Sequence, residues 1–121
     1  MVIFDTNVLI YLSKYKLDPQ KILQEKAAIS VITKIEALGY AFANIDEHNL
    51  LKTICSELEV IPLTDTISEE TIKLRARYKV KLPDAIIYAT ALVQRAPLLT
   101  NNIADFKSLG GNVELINPFA L

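Results

Sequence analysis

The sequence predicts an α/β fold built on a mainly parallel sheet. Two observations carry this. Five short apolar runs recur along the chain, and each is too short for a helix that packs alone. Between them lie longer stretches with helical spacing and recognisable cap residues, the alternation expected of strand–helix–strand units. Apolar runs without polar alternation suit strands covered on both faces, as parallel strands are.

The first run is Val2-Ile3-Phe4, ended by Asp5. Asp5, Thr6 and Asn7 are cap residues, and Val8 to Leu12 reads as a helix. Asp18-Pro19 opens a second short helix with proline in its first turn. Ala27 to Ser30 is the second strand. Thr33-Lys34-Ile35-Glu36 matches a capping box, which predicts a helix running to about Asn44. Asp46 is the expected cap of the next helix, whose Leu50, Leu51, Ile54 and Leu58 fall at helical spacing. Val60 to Leu63 is the third strand, and its Pro62 places it at a sheet edge.

Helical pattern resumes from Asp65 to Lys79 and again from Pro83, with Ala85, Ile86, Ala89, Leu92 and Val93 on one side. Leu98-Leu99-Thr100 is the fourth strand. Ala104 to Leu109 is a short helix ended by Gly110-Gly111, and Val113 to Ile116 is the last strand, before Asn117-Pro118.

Composition narrows the function. The chain has 121 residues, which favours one domain over 1–121, and 51% of them are hydrophobic, which excludes intrinsic disorder as its main state. Net charge is −1, so any nucleic-acid contact must come from a local patch. One Cys, Cys55, and one His, His48, exclude an intramolecular disulfide, a multi-cysteine zinc site and His-pair metal motifs. No apolar run approaches the ~20 residues of a membrane span. With no basic leader before Asp5, a cytoplasmic protein is expected.

The acids carry the functional signal. Asp5 ends the first strand, Glu36 lies one turn into the helix after the second, and Asp105 follows the fourth. Asp84 is in the first turn of a helix that returns antiparallel to feed the fourth strand, so it starts at the same edge. All four meet at the carboxyl edge of the sheet, where such folds bind ligands. Each also has a plain structural reading. Asp5 caps a helix, Glu36 answers Thr33, Asp84 complements a helix dipole and Asp105 is a solvated cap. None of these readings explains the convergence. Clustered carboxylates repel unless a cation lies among them. Hard oxygen donors without nearby His or Cys select Mg²⁺ or Mn²⁺, which permits metal-assisted phosphodiester hydrolysis.

Four stretches together resemble the PIN-domain family, and within it the VapC-type ribonuclease toxins of toxin–antitoxin pairs. They are Val2 to Leu9, Ile32 to Gly39, Leu82 to Ala91 and Leu99 to Phe106, with Val113 to Pro118 matching the usual close. The resemblance spans nearly the whole chain. It implies a three-layer α/β/α fold with strand order 3-2-1-4-5, whose switch point lies beside Asp5 and Asp105. It implies metal-ligand or catalytic roles for Asp5, Glu36 and Asp84. The fourth acid falls on Asp105, with Asn102 in an alternative slot. Thr6, Asn7, Thr100 and Asn102 are then the residues that orient ligands. The implied activity is Mg²⁺- or Mn²⁺-dependent cleavage of RNA, the implied partner a small antitoxin, and the implied assembly a homodimer. An RNA-processing nuclease without antitoxin, or a non-catalytic RNA- or protein-binding module, is the alternative.

Other features weigh less. Lys73, Arg75, Arg77, Lys79 and Lys81 form a basic stretch leading into Asp84. It either guides an RNA backbone or is a solvated face, since spacing by two does not gather all five on one side of a helix. His48 reads as a surface or cap residue, and Cys55 as a small buried hydrophobe. Tyr11, Tyr15, Tyr40, Tyr78 and Tyr88 read as packing residues. Rival phosphoryl enzymes fit poorly. Position 7 is Asn where a haloacid-dehalogenase-type phosphatase has a second Asp, no P-loop motif occurs, and Asn117-Pro118 stands where a receiver domain has Lys.

Overall fold

The computed structural model describes residues 1–23, 26–40 and 44–121. In chain order its elements are β1 (Val2–Phe4), α1 (Thr6–Ser13), α2 (Pro19–Ile22), β2 (Ala27–Ser30), α3 (Val31–Leu38), α4 (Ile45–Glu57), β3 (Glu59–Ile61), α5 (Asp65–Arg77), α6 (Leu82–Gln94), β4 (Leu98–Leu99), α7 (Ile103–Lys107) and β5 (Leu115–Ile116). A single 3₁₀ turn, Pro118–Ala120, follows. The strands form one parallel sheet of order 3-2-1-4-5, as the resemblance implies.

Strand alternation assigns each face its helices. Val2, Phe4, Ile29 and Leu99 point into a core shared with Val8, Leu9 and Leu12 of α1 and Leu51 and Cys55 of α4. Ile3, Ala28, Ile61 and Leu98 point the other way, onto Ile67 and Leu74 of α5, Ile87 and Tyr88 of α6 and Phe106 of α7. Helices thus cover both faces, which is why the strands read as unbroken apolar runs. β1 is central: Ile3 is level with Ala28 on one side and Leu98 on the other. Tyr88 and Phe106 stack at 6.2 Å between centroids, and the buried Tyr88 hydroxyl finds no hydrogen-bond partner among the described residues.

Several boundaries differ from the sequence pattern for local reasons. Ser30, not Thr33, caps α3: its hydroxyl accepts from the Ile32 amide at 3.2 Å. The Thr33–Glu36 pair is therefore inside the helix and forms no capping box. α3 stops at Leu38 with Gly39 as its C-cap. The expected extension to Asn44 crosses residues 41–43, outside the described residues. Asn44 rather than Asp46 caps α4, accepting from the Asp46 amide at 2.8 Å. β3 is an edge strand but ends before Pro62, which has no N–H to continue the ladder. α5 ends at Arg77, because Tyr78 turns extended. α7 ends at Lys107, short of Gly110-Gly111. Gly110 is instead needed in the following turn, at φ +101°, where a Cβ would also come within 3.2 Å of the Tyr78 hydroxyl.

Candidate functional site

The sheet delivers Asp5 to its carboxyl edge. The Asp5 amide donates to the Leu99 carbonyl at 2.9 Å, the last bond of the β1–β4 ladder, and the chain then turns into α1. Its side chain is 4% exposed and held at both oxygens. Oδ1 accepts from the Thr6 amide at 2.8 Å and Oδ2 from the Thr100 hydroxyl at 2.8 Å. Thr100 is itself fully buried and accepts from the Asn102 amide at 2.9 Å. One hydroxyl thus ties the turn after β4 to the turn after β1. Asp5 is also a helix cap, so the plain reading and the site reading describe the same residue.

Glu36 is oriented from across the sheet edge. The Thr6 hydroxyl donates to Glu36 Oε1 at 2.8 Å and lies 3.3 Å from the buried Thr33 hydroxyl. Thr33, read from the sequence as a cap, instead supports Thr6. Asp84 stands in the first turn of α6, and Asn102 Nδ2 donates to Asp105 Oδ2 at 3.1 Å. Asp5, Thr6, Asn7, Glu36, Lys81, Pro83, Asp84, Asn102 and Asp105 line one cavity of about 270 Å³. All four acids are therefore brought together, with Thr6, Asn7 and Asn102 beside them and Thr100 behind Asp5. Lys81 and Pro83 were not assigned to the site from sequence. The available signal was their position on the start of the helix that presents Asp84.

The electrostatics are those of crowded like charges. Burial pushes the Asp5 carboxyl above its ordinary value of 3.8, the Thr100 and Thr6 hydrogen bonds pull it back, and Asp84 and Glu36 push it up further. Burial also raises Asp84, and so do Glu36 and Asp105, against the lowering effect of Lys81. Asp84 thus senses neighbours on both sides of the cavity. Such a cluster, in which every donor is oxygen, suits a hard divalent cation. Among the described residues no three His, Cys, Asp or Glu side chains are gathered tightly enough to hold an ion unaided. An ion there would complete its shell with water or substrate oxygens, as Mg²⁺ commonly does. His48 and Cys55 lie elsewhere: the His48 ring is 3.3 Å from the Leu38 carbonyl oxygen, and Cys55 is buried in the core.

Replacing Thr100 by Val tests the tie between the turns. The variant leaves the Asp5 oxygen and the Asn102 amide unpartnered, and a loss of about 1–3 kcal/mol is expected in urea unfolding. Thr100→Ser retains the hydroxyl and should lose less. Equal stability of wild type and Thr100→Val would show that the bond contributes nothing.

The fold and cavity define a class: a parallel α/β domain with a carboxylate-lined hollow at the point where strand order reverses, between β1 and β4. A family model described as PIN domain matches residues 2–112, and the chain belongs to the PIN domain family. Among solved structures, it is 33% identical to a chain of a toxin–antitoxin complex from Klebsiella pneumoniae, covering 98% of both chains with a TM-score of 0.77. Two others share the fold. A chain of VapBC2 from Rickettsia felis, bound to a promoter DNA fragment, is 24% identical with a TM-score of 0.81, covering 97% of this chain and 98% of that one. A chain of VapBC-5 from Mycobacterium tuberculosis is 24% identical with a TM-score of 0.68, covering 95% and 96%. No curated protein sequence matches. Among the described residues no helix is long and apolar enough to cross a membrane.

Proposed function

We propose that this chain is a Mg²⁺- or Mn²⁺-dependent endoribonuclease and the toxin of a toxin–antitoxin pair. The observation that carries the reading is the four-carboxylate cavity of Asp5, Glu36, Asp84 and Asp105 in a chain of the PIN family. The toxin–antitoxin setting is supported by the complex from Klebsiella pneumoniae, and a small antitoxin is the partner we assign. A second copy of the chain is the assembly carried over from the family resemblance.

Asp5, Asp84 and Asp105 would hold the cation with water completing its shell, and Glu36 would contact it through water or take the proton of the attacking water. Bound there, a divalent ion would supply acidity to a water and offset charge on the phosphoryl oxygens. The chain's own part is preorganisation. Thr6 and Thr100 fix Asp5, Thr6 turns Glu36 inward, and Asn102 steadies Asp105. Asn7 lines the same cavity, beside the acids it would help to orient.

Titration with Mn²⁺ tests the site apart from any choice of RNA. Wild type is expected to bind saturably, and folded Asp84→Asn to bind at least about tenfold more weakly. No saturable binding by wild type would favour the non-catalytic, RNA- or protein-binding alternative.

A further inference from the structure

The basic stretch before Asp84 does not act as one surface. Lys73, Arg75 and Arg77 lie on α5, where residues two apart point to nearly opposite sides of the helix. Lys73 also faces Glu70 at 3.4 Å. Lys79 and Lys81 lie beyond the helix, on a connector whose ends are extended: Tyr78 has φ −129° and ψ 150°, Lys81 φ −67° and ψ 148°. Extended backbone sends successive side chains to opposite sides. Tyr78 and Val80 pack against the core, so Lys79 and Lys81 turn outward together, and both are exposed. Neither makes an ion pair among the described residues.

These two lysines line a second hollow of about 430 Å³ with Val80, Asp84, Asp105 and Ser108. Lys81, Asp84 and Asp105 also line the acidic cavity, so the two hollows share a wall. The Ser108 hydroxyl is committed to the Asp105 carbonyl at 2.8 Å. The two lysines thus put positive charge beside the acids, and Lys81 is close enough to Asp84 to oppose the rise of its pKa.

We propose that this second hollow is a subsite for the RNA strand flanking the scissile phosphate, with Lys79 and Lys81 pairing with backbone phosphates and Val80 supplying an apolar wall. The inference rests on the nuclease reading of the acidic cavity. A polyanionic strand must pass close to four carboxylates to present one phosphodiester, and cations on the shared wall offset that repulsion. A hollow of this size falls within the ordinary range of ligand sites. Phosphate pairing by lysine needs no base contact, so this subsite adds affinity without sequence preference.

The experiment is fluorescence anisotropy of a labelled mixed-sequence single-stranded RNA with the full chain in EDTA, across a salt series. Lys79→Glu/Lys81→Glu is compared with wild type and with Lys21→Glu/Lys52→Glu, a control of equal net charge carrying exposed lysines of α2 and α4. The Lys79/Lys81 variant is expected to bind about tenfold or more weakly, and its salt slope to fall by about 1.4, two single-strand phosphate contacts. The control should stay within about twofold of wild type. Equal loss in both variants, an unchanged Lys79/Lys81 variant, or no wild-type binding would each overturn the subsite. Mn²⁺ titration of the same proteins separates the two readings. If wild type fails to bind Mn²⁺ while RNA binding still depends on Lys79 and Lys81, the nuclease reading falls and the groove stands. If Mn²⁺ binds and the lysines do not matter, the reverse holds.

Discussion

Asp84→Asn is expected to lower metal-dependent RNA cleavage by on the order of 10²–10⁴-fold while the protein remains folded. Asp84 is the best single target because it feels Glu36 and Asp105 directly and in turn raises Asp5. Its side chain is only half-buried, so an amide of the same shape leaves the first turn of α6 and Pro83 undisturbed. Asp5→Asn is a less clean test. Oδ2 of Asp5 accepts from Thr100, whose oxygen already accepts from the Asn102 amide, so an amide nitrogen there would face a donor. Cleavage by matched preparations, each assayed with Mn²⁺ and with EDTA, reads the result. Wild-type rates in Asp84→Asn would remove the acidic cavity from the chemistry.

The second large effect is on stability. Saturating Mn²⁺, at about 100 times its dissociation constant, is expected to stabilise the fold by about 2.7 kcal/mol, or roughly 10 °C in Tm for a domain of this size. The pH dependence has a definite sign. Asp5 and Asp84 have folded pKa values raised above 3.8, so the metal-free fold binds protons more tightly than the unfolded chain does. Their contribution therefore favours folding most below that ordinary value and declines as pH rises through the folded values. The cation binds the ionised form, so its stabilising effect grows over the same interval. Melting wild type and Asp84→Asn between about pH 4 and pH 8, with Mn²⁺ or EDTA, isolates the Asp84 share from other titrating groups. In EDTA the variant should gain on wild type as pH rises. A gain by wild type instead would show that its ionised carboxylates are already stabilised by the protein itself.

Much of this molecule was legible in the sequence because the sheet is buried on both faces. Val2 to Phe4 and Ala27 to Ser30 appear as strands because no solvent face interrupts them with polar residues. The positions of Asp5, Glu36, Asp84 and Asp105 relative to those strands then follow from topology. What failed was local and turned on competition between neighbouring cap residues. Ser30 and Thr33 both suit a cap, as do Asn44 and Asp46, and in each pair the earlier residue takes the role. Choosing Thr33 as the cap concealed its place beneath Thr6, a hydroxyl contact across 27 residues that no short pattern records. The lysines at 79 and 81 were visible as charge. Their common direction depended on α5 stopping at Arg77, two residues earlier than its pattern suggested.

The central place of β1 has a consequence for synthesis of the chain. Its two neighbours are residues 27–30 and 98–99, one made soon after it and the other almost a whole chain length later. On the ribosome, β2 is available to pair with β1 early, while the other edge of β1 has no partner until β4 has been translated. The Thr100 hydroxyl that fixes Asp5, and Asp105 itself, emerge later still. A nascent chain therefore carries Asp5, Glu36 and even Asp84 without the cavity they share. The cavity proposed for RNA cleavage therefore cannot be complete until Thr100 and Asp105 have been made.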